Sequence, residues 1–112
     1  MQLKIIKYLL DIESVISEIE SVKVRIGNDF YVFNEDIIIQ RAIERELEII
    51  GEAVRKIIEI DPTIGISSSK KIVGLRNIIS HAYDSIEPEL IWGIIQRDIP
   101  KLSTEIQQLK GM

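Results

Sequence analysis

Apolar residues return at helical intervals along most of this chain. Ile5, Leu9, Ile12, Ile16 and Ile19 step by four, three, four and three positions, which places them on one helix face. The pattern stops at Gly27-Asn28-Asp29, a cluster of turn formers. A second stripe, Ile39, Ile43, Leu47, Ile50, Val54 and Ile57, predicts a longer helix from about Glu35 to Ile60. Arg41, Glu44, Arg45, Glu48, Glu52 and Lys56 take its polar side. Asn34 precedes it as a candidate N-cap, with Glu35 and Asp36 in the first turn, where the helix dipole favours anions. Asp61-Pro62 ends it, because proline disfavours helix at the residue before it.

Between these helices, FYVF (30–33) is too isolated to form a sheet, and it is expected to be a loop that packs aromatics onto the helices. After the connection PTIGISSS (62–69), one of Ser67, Ser68 and Ser69 is expected to cap a third helix. That helix opens on Lys70 and Lys71, cations at the positive end of the dipole, where each costs about 0.3–1 kcal/mol. Pro88 suits the first turn of a last helix, since its missing N–H has no partner there anyway. Ile91, Ile95, Ile99, Leu102, Ile106 and Leu109 keep helical phase through Pro100, so the expectation is a kinked helix or two abutting ones. Trp92 is expected in the core or at a subunit seam. The fold class is all-α, a helical bundle in a single domain over 1–112.

Composition changes this picture in three ways. The chain has no cysteine and one histidine, which excludes disulfides, cysteine-based zinc sites and histidine-rich metal sites. Mean hydropathy is +0.13 although 29% of residues are charged, more apolar surface than a small monomer hides, so a homo-oligomer is expected. The start, MQLKIIKYLLDIESV, has neither the length of a membrane span nor a signal-peptide pattern, and a soluble, cytoplasmic protein is expected. Net charge is −4, which disfavours nucleic-acid binding, yet the stretch from Pro62 to Tyr83 holds no acid and carries Lys70, Lys71 and Arg76.

That basic stretch contains the lone histidine, in LRNIISHAYDS (75–85). Arginine offers a rigid donor fork that matches phosphate, and an imidazole moves protons near neutral pH. Arg76 and His81 together would suffice for RNA cleavage without a metal: a base takes the 2′-OH proton, the alkoxide attacks the phosphate, and an acid protonates the leaving 5′-oxygen. Five helical residues put Arg76 and His81 about 140° apart, so they converge only if the helix unwinds or a second subunit supplies a partner. Arg76 and Ser80, like Asn77 and His81, are stacked neighbours. Two proton transfers and one histidine per chain argue for a two-fold dimer. Packing and catalysis both remain open for the histidine at this point. Neighbouring carboxylates such as Glu44, Glu48 and Glu52 are common on surface helices and make no metal site by themselves.

Arg76-Asn77-Ile78-Ile79-Ser80-His81-Ala82-Tyr83 resembles the R-x4-H-x-Y signature of HepT-like proteins in the HEPN superfamily. LEIIGEAVRKI (47–57), IVGLRN (72–77), LIW (90–92) and RDIPKL (97–102) resemble blocks of that family in the same order. The resemblance implies an antiparallel bundle of four to five helices and a homodimer with the motif at the dimer cleft. It implies a toxin of a toxin–antitoxin pair, acting as a metal-independent endoribonuclease without cofactor. It further implies an MntA-like nucleotidyltransferase antitoxin that transfers AMP onto the motif tyrosine, here Tyr83. Carried over, Arg76 holds the phosphate, His81 transfers protons, and Asn77 and Ser80 support them. Lys70, Lys71 and Arg45 are candidate RNA contacts. Ser69, Glu46 and Arg41 depart from residues common in relatives. The alternative is a non-catalytic helical protein that binds a nucleotide and partners a minimal nucleotidyltransferase.

Overall fold

The computed structural model describes residues 1–81 and 86–111, His81 by its backbone alone. Its elements are α1 (Leu3–Arg25), α2 (Phe30–Glu35), α3 (Ile37–Ile60), α4 (Ser69–His81), α5 (Pro88–Gly93), a π-helical turn (Ile94–Asp98) and α6 (Ile99–Lys110). Among the described residues every regular element is helical. Polar pairs fix the directions. Glu48 meets Ser80 and Glu52 meets Arg76, so α3 and α4 are antiparallel. Lys23 reaches the Ile95 carbonyl while Glu13 pairs with Lys110, so the last helical stretch runs antiparallel to α1. None of the described helices is long and apolar enough to cross a membrane.

The stripes read from the sequence form the core. Ile5, Leu9, Ile12, Ile16 and Ile19 are buried on α1, and Ile43, Leu47, Ile50, Val54 and Ile57 on α3. Ile91, Ile95, Ile99, Leu102 and Ile106 complete it from the C-terminal helices, and Ile39 and Leu109 pack on its rim. Gly27 and Asn28 take φ of 65° and 53°, the left-handed turn that closes α1.

FYVF corrects the expectation of a loop, because it is the body of a short helix. Asp29 caps α2 by accepting from the Tyr31 N–H at 2.8 Å. Gln40, buried on α3, donates its side-chain amide to the carbonyls of Phe33 and Asn34 at 2.9 and 3.1 Å, which satisfies the end of α2. Phe33 is fully buried, with its ring centroid 5.3 Å from that of Trp92, and Phe30 lies 5.7 Å from the same ring. Tertiary packing, not local propensity, makes these six residues helical. The cap of α3 is Asp36 rather than Asn34: its carboxylate accepts from the N–H groups of Ile38 and Ile39, and the helix starts two residues later than expected.

The remaining boundaries follow the sequence closely. The Ser68 carbonyl accepts from the Ile72 N–H at 2.9 Å, which makes Ser68 the N-cap position of α4. Pro88 opens α5. At Pro100 the helix neither breaks nor simply bends. The missing Pro100 N–H would have bonded to Gln96, and the preceding turn widens instead, with the Ile99 N–H reaching back five residues to the Ile94 carbonyl.

Candidate active site

Glycine inside a helix costs about 1 kcal/mol relative to alanine, so Gly51 in mid-α3 needs a reason. The structure supplies one. A Cβ at position 51 would lie 2.4 Å from Cβ of Arg76 and 3.0 Å from the Ile72 carbonyl oxygen. Gly51 is therefore a point of close approach between α3 and α4, and it sets the depth at which Arg76 sits. An added methyl would strike atoms fixed to the α4 backbone. Gly51→Ala is expected to destabilise the protein by about 1–3 kcal/mol through helix displacement. Gly74, on α4, has nothing within 4 Å of its own virtual Cβ. Gly74→Ala is expected to stabilise by about 0.5–1 kcal/mol through helix propensity. Urea denaturation of the two variants should give opposite signs, and a shared sign would discount the close approach.

Arg76 is 30% exposed and held from two sides. Its Nε lies 3.2 Å from Glu52 Oε2, off the N–H direction, so the contact is an ion pair without a linear hydrogen bond. Its Nη1 donates to Asn77 Oδ1 at 3.0 Å. Glu52 is itself clamped by Arg55, whose Nη2 and Nε donate to the two carboxylate oxygens at 2.7 and 3.3 Å. Arg55 also pairs with Glu59. One turn along α3, Glu48 accepts from the Ser80 hydroxyl at 2.6 Å and from Arg45 Nη1 at 2.8 Å.

These contacts set the charge state. The Ser80 hydrogen bond, then that of Arg45, holds the Glu48 carboxyl below the usual carboxylate range. The Arg55 hydrogen bond does the same for Glu52, with Arg76 adding attraction. Both stay ionised at neutral pH. Glu46 behaves oppositely: burial, then the neighbouring Glu18 carboxyl, pushes it up to about 7.

The groove onto which Arg76 opens has a volume of about 460 Å³ between α1, α3 and α4, with Arg45, Glu48, Glu52, Lys56 and Tyr8 on its walls. Asn77 and Lys70 open instead onto a second groove of about 540 Å³, floored by Ile58, Pro62 and Val73. Lys71 lines neither; its Nζ lies 2.8 Å from Asp98 Oδ2 of the π-helical turn, which answers the unfavourable dipole at the start of α4. Helical backbone continues from Arg76 through His81, so unwinding between these two positions does not bring them together. The His81 side chain and Tyr83 lie outside the described residues. Among the described residues no three His, Cys, Asp or Glu side chains are grouped to hold a metal ion.

The sequence pointed to Arg76, Asn77 and Ser80 and offered Arg45 as an RNA contact, while Glu52 lay in the 47–57 block without an assigned role. Gly51 had none either, although a glycine in the middle of a strongly periodic helix is the signal of a close approach.

The model of the HepT-like ribonuclease family matches residues 6–109. The chain belongs to the HepT-like ribonuclease family. Ribonuclease is the enzyme class this membership carries. The chain is 39% identical over 94 residues to an RNase-named protein of Methanocaldococcus jannaschii, covering 72% of this chain and 84% of that one. It is 32% identical over 100 residues to an RNase-named protein of Caldanaerobacter subterraneus subsp. tengcongensis, covering 88% and 89%. A Thermococcus cleftensis protein named as a ribonuclease HepT is 32% identical over 107 residues, covering 92% and 93%. No solved structure gives a significant match.

Proposed function

We propose that this HepT-like chain is an endoribonuclease toxin that cuts RNA by 2′-OH attack without a metal, with Arg76 and His81 as its reacting-site residues. The observation that carries the reading is Arg76, held on α4 at the mouth of an open groove within an intact R-N-x-x-x-H-x-Y segment. Arg76 binds the scissile phosphate and offsets the charge that grows on it. One imidazole removes the 2′-OH proton. The alkoxide attacks phosphorus, the bond to the 5′-oxygen breaks, and a second imidazolium protonates that oxygen. The products are a 2′,3′-cyclic phosphate and a 5′-hydroxyl.

One histidine per chain supports a homodimer in which two motifs face a common cleft. Uninterrupted helix between Arg76 and His81 supports the same arrangement, since residues about 140° apart on one helix need a second chain to share a ligand. Ile78, inside the motif, is 56% exposed and gives the partner an apolar contact. The antitoxin of this reading is a nucleotidyltransferase that places AMP on Tyr83. The added phosphodiester brings bulk and negative charge to the place where the RNA phosphate binds. Both proteins act in the cytoplasm.

Two measurements test this. Purified protein should cut RNA in excess EDTA and leave 2′,3′-cyclic ends. Co-expression with a cognate MntA-like nucleotidyltransferase should raise its intact mass by whole AMP units that map to Tyr83. Absence of cleavage in freshly purified, unmodified protein would overturn the catalytic reading in favour of a non-catalytic nucleotide-binding partner.

A further inference from the structure

We propose that Glu52 is a positioning residue that presents the Arg76 guanidinium to an RNA phosphate; the inference rests on the ribonuclease reading above. A guanidinium has five N–H groups. Glu52 faces the Nε side, and Asn77 takes one hydrogen of Nη1. Among the described residues Nη2 makes no hydrogen bond, and Arg76 lines the groove, which leaves this nitrogen to a ligand bound there. A phosphate arriving there can accept from Nη2 and from the second hydrogen of Nη1.

Glu52 can hold this orientation because it is itself fixed. Arg55 engages both of its oxygens and is tied in turn to Glu59, giving a chain of alternating charges from Glu59 through Arg55 and Glu52 to Arg76. Glu52 follows Gly51 directly, so one turn of α3 sets both how close Arg76 stands and which way it faces. A carboxylate beside a phosphate site is otherwise a liability, since the groove wall then repels the ligand. Its presence is useful only through Arg76.

That contrast gives the test opposite signs. A non-cleavable 2′-O-methyl RNA oligonucleotide is titrated, by fluorescence anisotropy, into the wild type, Glu52→Gln, Arg76→Ala and the double variant. The proposal expects Glu52→Gln to weaken binding about 3- to 10-fold in the wild-type background, the scale of coupling between contacting groups. In the Arg76→Ala background, where the carboxylate only repels the ligand, the same change should leave binding unchanged or tighten it. Tighter binding in both backgrounds is what loss of a negative charge alone would produce, and it would overturn the proposal. So would an equal loss in both, or no change in either. Arg55→Gln, which frees Glu52 while keeping it, should give part of the loss and guards against a folding artefact. Wild-type cleavage in EDTA is scored separately: protein that binds with the expected pattern but never cuts would overturn the ribonuclease reading and leave the role of Glu52 standing.

Discussion

Replacing His81 with alanine is expected to lower the rate of RNA cleavage about 10²- to 10⁴-fold while leaving RNA binding nearly intact. A positioned general acid–base contributes about that much, and His81 is the chain's one imidazole. Among the described groups, Glu46 is a carboxyl brought near neutrality, pushed up to about 7 by burial and by Glu18. Glu46 does not line the Arg76 groove, so Glu46→Gln should cut RNA at close to the wild-type rate. On the proposed reading Arg76→Ala should behave differently from His81→Ala, losing affinity as well as rate, because the guanidinium is the proposed phosphate contact. Single-turnover cleavage with saturating protein separates the two effects. Full activity in His81→Ala, with loss in Glu46→Gln, would move the proton chemistry off α4 altogether.

The second large effect falls on stability. Phe33→Ala is expected to cost about 3–5 kcal/mol, the usual penalty for removing a fully buried aromatic ring. Phe33 has no exposed surface, and its ring centroid lies 5.3 Å from that of Trp92. A domain of this size has about 5–15 kcal/mol in total, so the variant would retain little margin and melt roughly 10–20 °C lower. The loss should also release Gln40, whose amide holds the Phe33 and Asn34 carbonyls only while α2 is docked. Urea denaturation measures the cost directly. A change below about 1 kcal/mol would mean that α2 is only loosely attached to the core.

Much of the fold was legible because its long helices are amphipathic over many turns. The stripes Ile5 to Ile19 and Ile43 to Ile57 became core without a change of register, since burying an apolar face leaves a 3.6-residue repeat one way to sit. The short helix was not legible. Six residues from Phe30 to Glu35 carry too few turns to show a period, and their helix is paid for by Trp92 and Gln40, distant in sequence. The cap moved from Asn34 to Asp36 for the same reason: with α2 in place, the first free carboxylate after it caps α3. At Pro100 the sequence announced an irregularity, and only packing chose a π-helical turn over a break.

By itself, the sequence determined the helical class, the faces that are buried, the family motif and the locally basic stretch that bears it. These are properties of residue order and spacing, and no contact between distant segments is needed to read them. The tertiary structure decided which carboxylate faces Arg76, why position 51 lacks a side chain, and that Lys71 serves Asp98 rather than a groove. Those facts depend on the distance and rotation between α3 and α4, and on where the π-helical turn lies against the start of α4. Helix spacing is fixed by the sum of many side-chain contacts across the interface, a quantity that no single stretch of the chain contains.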